Sequence, residues 1–350
     1  MLVVGMLIAG LLAGLAAWLI YRARKPRTLL PSRGISASIK SRNASASAPD
    51  GARAELANNL VTERLWRVAF AASPEAQLLE PAHARVRDAV SAVLQAAALD
   101  PKYFPRRPTL MPQLLRAMDD PHSATDKLSR IVAHDPVLTS DVLRLANSPI
   151  YRSSPAPIET IQRAIVVLGV DALRGLVATA MLQPVFRATR SNFPRFPRML
   201  WERTERAARA AELYALKTLP RDRFEAQLLI LLSALWPLVV YGATLDIYAQ
   251  RPRLTPNPTL FVSLTAALGP QVSLRIAQDW ETSPRLVAAI ERSPDESLTM
   301  ALCVGELLGT LSLLQTQSVI TADEALATAK DIGLADTTVD PIWERLTAGQ

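Results

Sequence analysis

The chain has 350 residues, enough for one large domain or two small ones around a substantial core. Hydrophobic residues make up 49% of it, and Leu, Ala, Arg and Glu dominate over β-type blocks, which argues against a strand-rich fold and for helices. One cysteine, Cys303, excludes an intramolecular disulfide, and in its apolar helical setting it reads as a small buried hydrophobe.

The formal charge of +7 belongs to one segment. Arg22, Arg24, Lys25, Arg27, Arg33, Lys40 and Arg42 carry seven positive charges with no acid among them, so the remainder is formally neutral. That distribution speaks against a nucleic-acid-binding face.

Residues 2–20 hold no charge. Nineteen helical residues at about 1.5 Å each reach roughly 28 Å, the thickness of a bilayer core. Trp18 and Tyr21 would sit in the aromatic belt, and the basic cluster beyond them orients the bulk of the chain to the cytoplasm. The expectation is a single-pass anchor over residues 1–21 in the inner (cytoplasmic) membrane. A cleaved signal ending near Ala16 and Ala17 is the competing reading, but its charges should precede the apolar run rather than follow it. Gly10 and Gly14 form a small-residue pair suited to close helix contact, which makes a homodimer through this face a candidate.

Residues 22–53, rich in Ser, Ala and Arg, read as a basic flexible linker. Helical patterning begins near residue 54 and gives a lead-in unit over 54–103. Leu56, Leu60, Leu65 and Val68 mark one helix, and Val86, Val90, Val93 and Leu94 another. Three prolines between residues 100 and 108 predict an extended connection.

The main unit is expected over 104–305. Ser123, with Asp126 three residues on, suits the start of a helix carrying Leu128, Ile131 and Val132. Asp135 caps the next, with Pro136 at its first position and Val137, Leu138, Val142, Leu143 and Leu145 on its buried side. Asn147, Ser148 and Pro149 stop it. A third helix carries Ile158, Ile161, Ile165 and Leu168 and ends at Gly169, and a fourth carries Leu173, Leu176, Val177 and Met181.

Residues 226–245 are again uncharged. Pro237 would break a helix about midway, and the stretch reads as a helix buried on every side, with a second membrane span as the alternative. Residues 306–350 form a helical extension.

Catalytic chemistry is hard to find. The three histidines, His83, His122 and His134, form no ligand pair, and His134-Asp135 runs into Pro136, where Asp135 serves better as a cap. Glycine-rich phosphate loops, a Gly-x-Ser-x-Gly elbow and Cys/His ribbons are all missing from the sequence.

The run Asp-Pro-Val-Leu-Thr-Ser-Asp-Val-Leu-Arg-Leu-Ala-Asn-Ser-Pro-Ile-Tyr (residues 135–151), followed by Ile-Glu-Thr-Ile-Gln-Arg-Ala-Ile-Val-Val-Leu-Gly (158–169), resembles the signature of the HDOD domain. The resemblance extends over roughly 104–305. It implies an all-α fold related to HD-type metal phosphohydrolases, and a role in bacterial signal transduction, often linked to cyclic-dinucleotide pathways. In the competent relatives a helix reads approximately Gly-Leu-Leu-His-Asp-Ile-Gly; the similar stretch here, Ile-Leu-Leu-Ser-Ala-Leu-Trp (230–236), puts Ser233 and Ala234 at the metal-binding positions. Arg203 in Leu-Trp-Glu-Arg-Thr (200–204) replaces a histidine of the family's Leu-Trp-x-His-Ser, and Arg292 and Ser293 replace histidines that follow the Trp-x-x-Pro and Ala-Ile segments.

The resulting expectation is an all-α, multi-helix HDOD-like domain with an N-terminal single transmembrane helix. It would be a non-catalytic signalling or scaffolding protein, without catalytic, cofactor or metal residues. Its partners would be signalling proteins and the membrane, with no nucleic acid. Asn147, Ser148 and Tyr151 form the candidate interaction surface, with helix termination as the local alternative for Asn147. The rival functions are a cyclic-dinucleotide or nucleotide sensor and a residual metal-dependent phosphohydrolase.

Overall fold

The computed structural model describes residues 50–72, 80–96, 103–105, 128–133, 136–147, 157–187, 192–293, 296–330 and 336–348, and all regular structure among them is helical. Residues 1–21, with Gly10 and Gly14, lie outside that set.

Two lead-in helices, α1 (Asp50–Ala69) and α2 (Pro81–Gln95), are followed by α3 (Pro136–Ala146), α4 (Ile161–Leu168) and α5 (Val170–Arg187). The centre is built from α6 (Arg195–Thr218), α7 (Arg223–Ser233), α8 (Trp236–Ala249) and α9 (Pro258–Asp279), with the short α10 (Pro284–Ile290). Then come α11 (Leu298–Thr316), α12 (Ala322–Lys330) and α13 (Asp336–Thr347).

Local chemistry sets many of these boundaries. Pro258 and Pro284 open α9 and α10 where a backbone N–H is not needed, while Asn257 and Ser283 accept from the N–H groups of Leu260 and Leu286 at 3.2 and 3.4 Å. Thr321 and Glu324 close a reciprocal capping box before α12, at 2.9 and 3.1 Å. Gly169 takes φ 79°, and the chain bends by 112° between α4 and α5, a corner that a residue with a Cβ would resist.

The buried stripe of α1 differs from the apolar pattern. Val61, Leu65, Trp66, Ala69 and Phe70 are buried, whereas Leu60 is 62% exposed. Asn58 occupies the inward position one turn before Val61, so a polar residue stands where periodicity seeks a leucine.

The uncharged stretch 226–245 forms two helices. Their break falls at Ala234 and Leu235, and Pro237 lies in the first turn of α8. The segments Pro220–Ala249 and Leu298–Thr316 are each long and apolar enough to cross a bilayer, yet 83% of the most apolar window in each is buried inside the fold. Here they serve as interior helices.

Helix α11 is the axis of the structure and packs most extensively on α6. Gly305 and Gly309 face α6: a Cβ on Gly305 would lie 2.8 Å from the Ala207 carbonyl oxygen, and one on Gly309 would overlap the Ala207 backbone. Small residues spaced by four thus let two backbones touch inside the fold, as they do between helices in lipid. Helix α11 runs unbroken through residues 305 and 306, where sequence patterning placed the junction with an extension, and α12 and α13 pack back onto it.

Beside this axis, aromatic residues from α1, α6, α8 and α9 form one cluster. Phe70 stacks on Phe196 at 4.5 Å and on Phe261 at 5.1 Å, and Tyr241 lies 4.7 Å from Phe196. Trp66 closes one side, 5.6 Å from Phe196.

Candidate functional site

On the far side of Trp66 the core becomes charged. Helix α6 presents a wide buried stripe that includes Arg203 and Thr204 among its apolar residues. Arg203 is 4% exposed, and its guanidinium lies 5.9 Å from the Trp66 ring. Its Nε donates to Thr310 Oγ1 at 2.9 Å. Its Nη2 is 3.9 Å from Oε1 of Glu306, one helical turn before Thr310 on α11.

Glu306 is the hub. Its Oε2 accepts from Asn58 Nδ2 on α1 at 2.7 Å and from Arg292 Nη2 at 2.6 Å. The Ser233 hydroxyl, at the last residue of α7, is 3.3 Å from Glu306 Oε1 and 2.9 Å from the Ile230 carbonyl; its single proton serves one acceptor at a time. Arg292 follows α10 with φ 59°, a left-handed conformation that costs a non-glycine residue on the order of 1 kcal/mol. That turn directs its side chain back into the cluster. There Nη1 also donates to Cys303 Sγ at 2.8 Å, so the lone cysteine is more than a packing residue.

Burial lowers the Arg203 pKa; Glu306 counters this and Arg292 reinforces it. Burial alone would raise the Glu306 pKa, but the charges of Arg292 and Arg203 and the hydrogen bonds from Arg292 and Asn58 outweigh it, and the carboxyl is held below the ordinary range. The resulting cluster pairs two guanidiniums with one carboxylate.

A divalent cation does not fit this arrangement. It would need several oxygen or nitrogen donors, whereas the cluster offers one carboxylate, already engaged by Arg292 and Asn58, and two cationic groups that repel a metal. Among the described residues, no three His, Cys, Asp or Glu side chains gather as a ligand set.

Of the residues singled out by sequence, the structure brings Arg203, Ser233 and Arg292 together. Ala234 is buried at the end of α7 and supplies no polar side chain. Asn147 proves to be a splint. Its Nδ2 donates to the carbonyls of Leu143 and Ile158 at 2.9 and 2.8 Å, and its Oδ1 accepts from the Ile158 N–H at 2.8 Å, tying the end of α3 to the lead-in of α4. Ser148, Tyr151, His122, His134 and Asp135 lie outside the described residues. His83 is a buried peg whose Nδ1 is 2.8 Å from the Tyr248 hydroxyl, which also accepts from the Asn257 N–H at 3.1 Å.

Sequence reasoning missed Glu306, Asn58 and Thr310. Glu306 did leave a signal, because it is the single charged residue between 298 and 316, and an isolated charge in an apolar helix requires a buried partner.

The family model of the HDOD domain matches residues 104–296, more than half of the chain. The chain belongs to the HDOD family. Its fold is similar to that of an HDOD domain protein of unknown function from Geobacter sulfurreducens, with a TM-score of 0.50, 19% identity, and coverage of 76% of this chain and 94% of that one. A candidate metal-dependent phosphohydrolase from Shewanella amazonensis is similar too, with a TM-score of 0.50, 16% identity and coverage of 76% and 98%. No curated protein matches the chain. The HDOD match ends before α11 and begins after α1. Arg203, Ser233 and Arg292 therefore lie inside the matched region, while Glu306, Asn58 and Thr310 come from the flanking helices.

Proposed function

We propose that this HDOD protein is a non-catalytic signalling or scaffolding module, held at the cytoplasmic face of the inner membrane by its amino-terminal segment and acting through protein–protein contacts. One observation carries the reading: Arg203, Arg292 and Ser233 converge on Glu306. By resemblance, Ser233 and Arg203 stand where competent relatives place metal-binding histidines, and Arg292 stands where a histidine often follows the Ala-Ile segment. Two fixed guanidiniums supply the positive charge that metals supply in such relatives, but they can neither ionise a water molecule nor exchange ligands.

Phosphodiester turnover tests this. The full chain, supplied with manganese or magnesium, should hydrolyse bis(p-nitrophenyl) phosphate no faster than buffer. Turnover that disappears in both Glu306→Gln and Ser233→Ala would overturn the reading. Anchoring is checked separately by membrane fractionation and amino-terminal sequencing, which should find residue 1 retained in the membrane fraction.

A further inference from the structure

A second polar feature lies away from the arginine–glutamate cluster, where the connection between α8 and α9 crosses the start of α2. A groove of about 440 Å³ opens there, lined by Ala82, Arg85, Arg251, Pro252, Arg253 and Leu254. Three of the six lining residues are arginines and none is an acid. Arg85 and Arg253 are exposed and have no ion-pair partner among the described residues. Neighbouring Arg87, by contrast, pairs with Asp88 at 2.8 Å. Arg251 commits one N–H to the Ile247 carbonyl at 2.8 Å, leaving the other edge of its guanidinium uncommitted. Asp246 lines an adjoining larger hollow that shares Arg251, Pro252 and Leu254.

Arg85 projects from α2, and Arg251 and Arg253 stand on a braced turn. The Arg251 N–H donates to the Tyr248 carbonyl at 2.8 Å and the Leu254 N–H to the Arg251 carbonyl at 2.9 Å. Below them, Tyr248 bridges His83 on α2 and the Asn257 backbone, so both walls are fixed to one peg. Like charges held together on a rigid frame repel one another, and an anion placed among them removes that repulsion with little loss of freedom. Guanidinium forks match phosphate oxygens in pairs, and Pro252, Leu254 and Ala82 offer apolar surface beside them.

We propose that the groove between α2 and the α8–α9 turn binds a phosphate-bearing ligand, with the phosphate held by Arg85, Arg251 and Arg253 and an apolar portion resting on Pro252 and Leu254. The shared chemistry is a phosphate ester, whether a soluble one or the headgroup of a lipid.

Calorimetric titration of the detergent-solubilised full chain with inorganic pyrophosphate tests it. Wild type should bind saturably, and Arg85→Ala/Arg253→Ala should bind roughly tenfold more weakly or worse. Arg163→Ala/Arg221→Ala removes equal charge from exposed positions elsewhere and should bind like wild type. Both replaced groove residues are exposed, so circular dichroism should show the groove variant folded. Absence of saturable binding, or equal weakening in the two double variants, would overturn the proposal. Competition then separates the sources: a short-chain phosphatidylglycerol that displaces pyrophosphate at lower concentration identifies a lipid headgroup, and one that fails to compete identifies a soluble phosphate ester.

Discussion

Trp66 separates two interiors built on different physics. On one side, Phe70, Phe196, Tyr241 and Phe261 fill space by shape, each contact contributing a little dispersion. On the other, Arg203, Arg292 and Glu306 fill it with charge, where the two guanidiniums depend on Glu306 and its carboxylate depends on them. The aromatic side should therefore lose stability in increments, whereas the charged side should fail when one member is removed alone.

Removal of the hub gives the largest effect. Glu306→Ala leaves two guanidiniums without their counter-charge, and the midpoint of urea unfolding should report a loss of about 3–5 kcal/mol. Arg203→Met/Glu306→Leu should cost less than Glu306→Ala by itself, since it removes charge from both sides of the pair. A double variant as unstable as the sum of its single variants would erase the distinction between the two interiors.

Phe70→Ala should cost about 3–4 kcal/mol through the cavity it leaves, measured in the same way. Adding Phe196→Ala should deepen the loss, with no recovery of the kind expected between Arg203 and Glu306. Outside both interiors, Asn147→Ala frees the Ile158 backbone and should cost about 1–3 kcal/mol, with no change in the acid sensitivity described next.

Acid is the mildest probe. The folded Glu306 pKa is depressed, so its contribution to stability is fully present above the unfolded-state value and is lost as pH falls through the folded one. Urea midpoints taken from about pH 6 to about pH 3 should fall more steeply for wild type than for Glu306→Gln. Phe70→Leu should keep the wild-type slope. Parallel slopes for wild type and Glu306→Gln would show that the carboxylate gains nothing from its partners.

Much of the fold was legible because helices announce themselves locally. Pro136 opens α3, Gly169 ends α4, and the break before Pro237 divides the apolar stretch 226–245 into α7 and α8. The family resemblance was read from the run 135–169, which spans the first two of these boundaries. The cluster was only half legible. Arg203, Ser233 and Arg292 stood out by resemblance, but Glu306 lies 103 positions beyond Arg203 and Asn58 lies 248 positions before Glu306. Periodicity reports which face of a helix is buried and is silent on which distant charge meets it. It also favoured Leu60 over Asn58, since an apolar stripe does not foresee a buried amide. The Asn147 result has the same origin, because a side chain that imitates backbone pairing with Ile158 looks in sequence like a surface polar residue.

Manganese binding by the full chain tests the assignment of the domain centre most directly. With Mn(II) titrated in and the free ion followed by electron paramagnetic resonance, the expected signal rises in proportion to the metal added, alike for wild type and Ser233→Ala. Stoichiometric uptake by wild type, lost in Ser233→Ala and Glu306→Gln, would show that a metal and not the arginine pair occupies the centre.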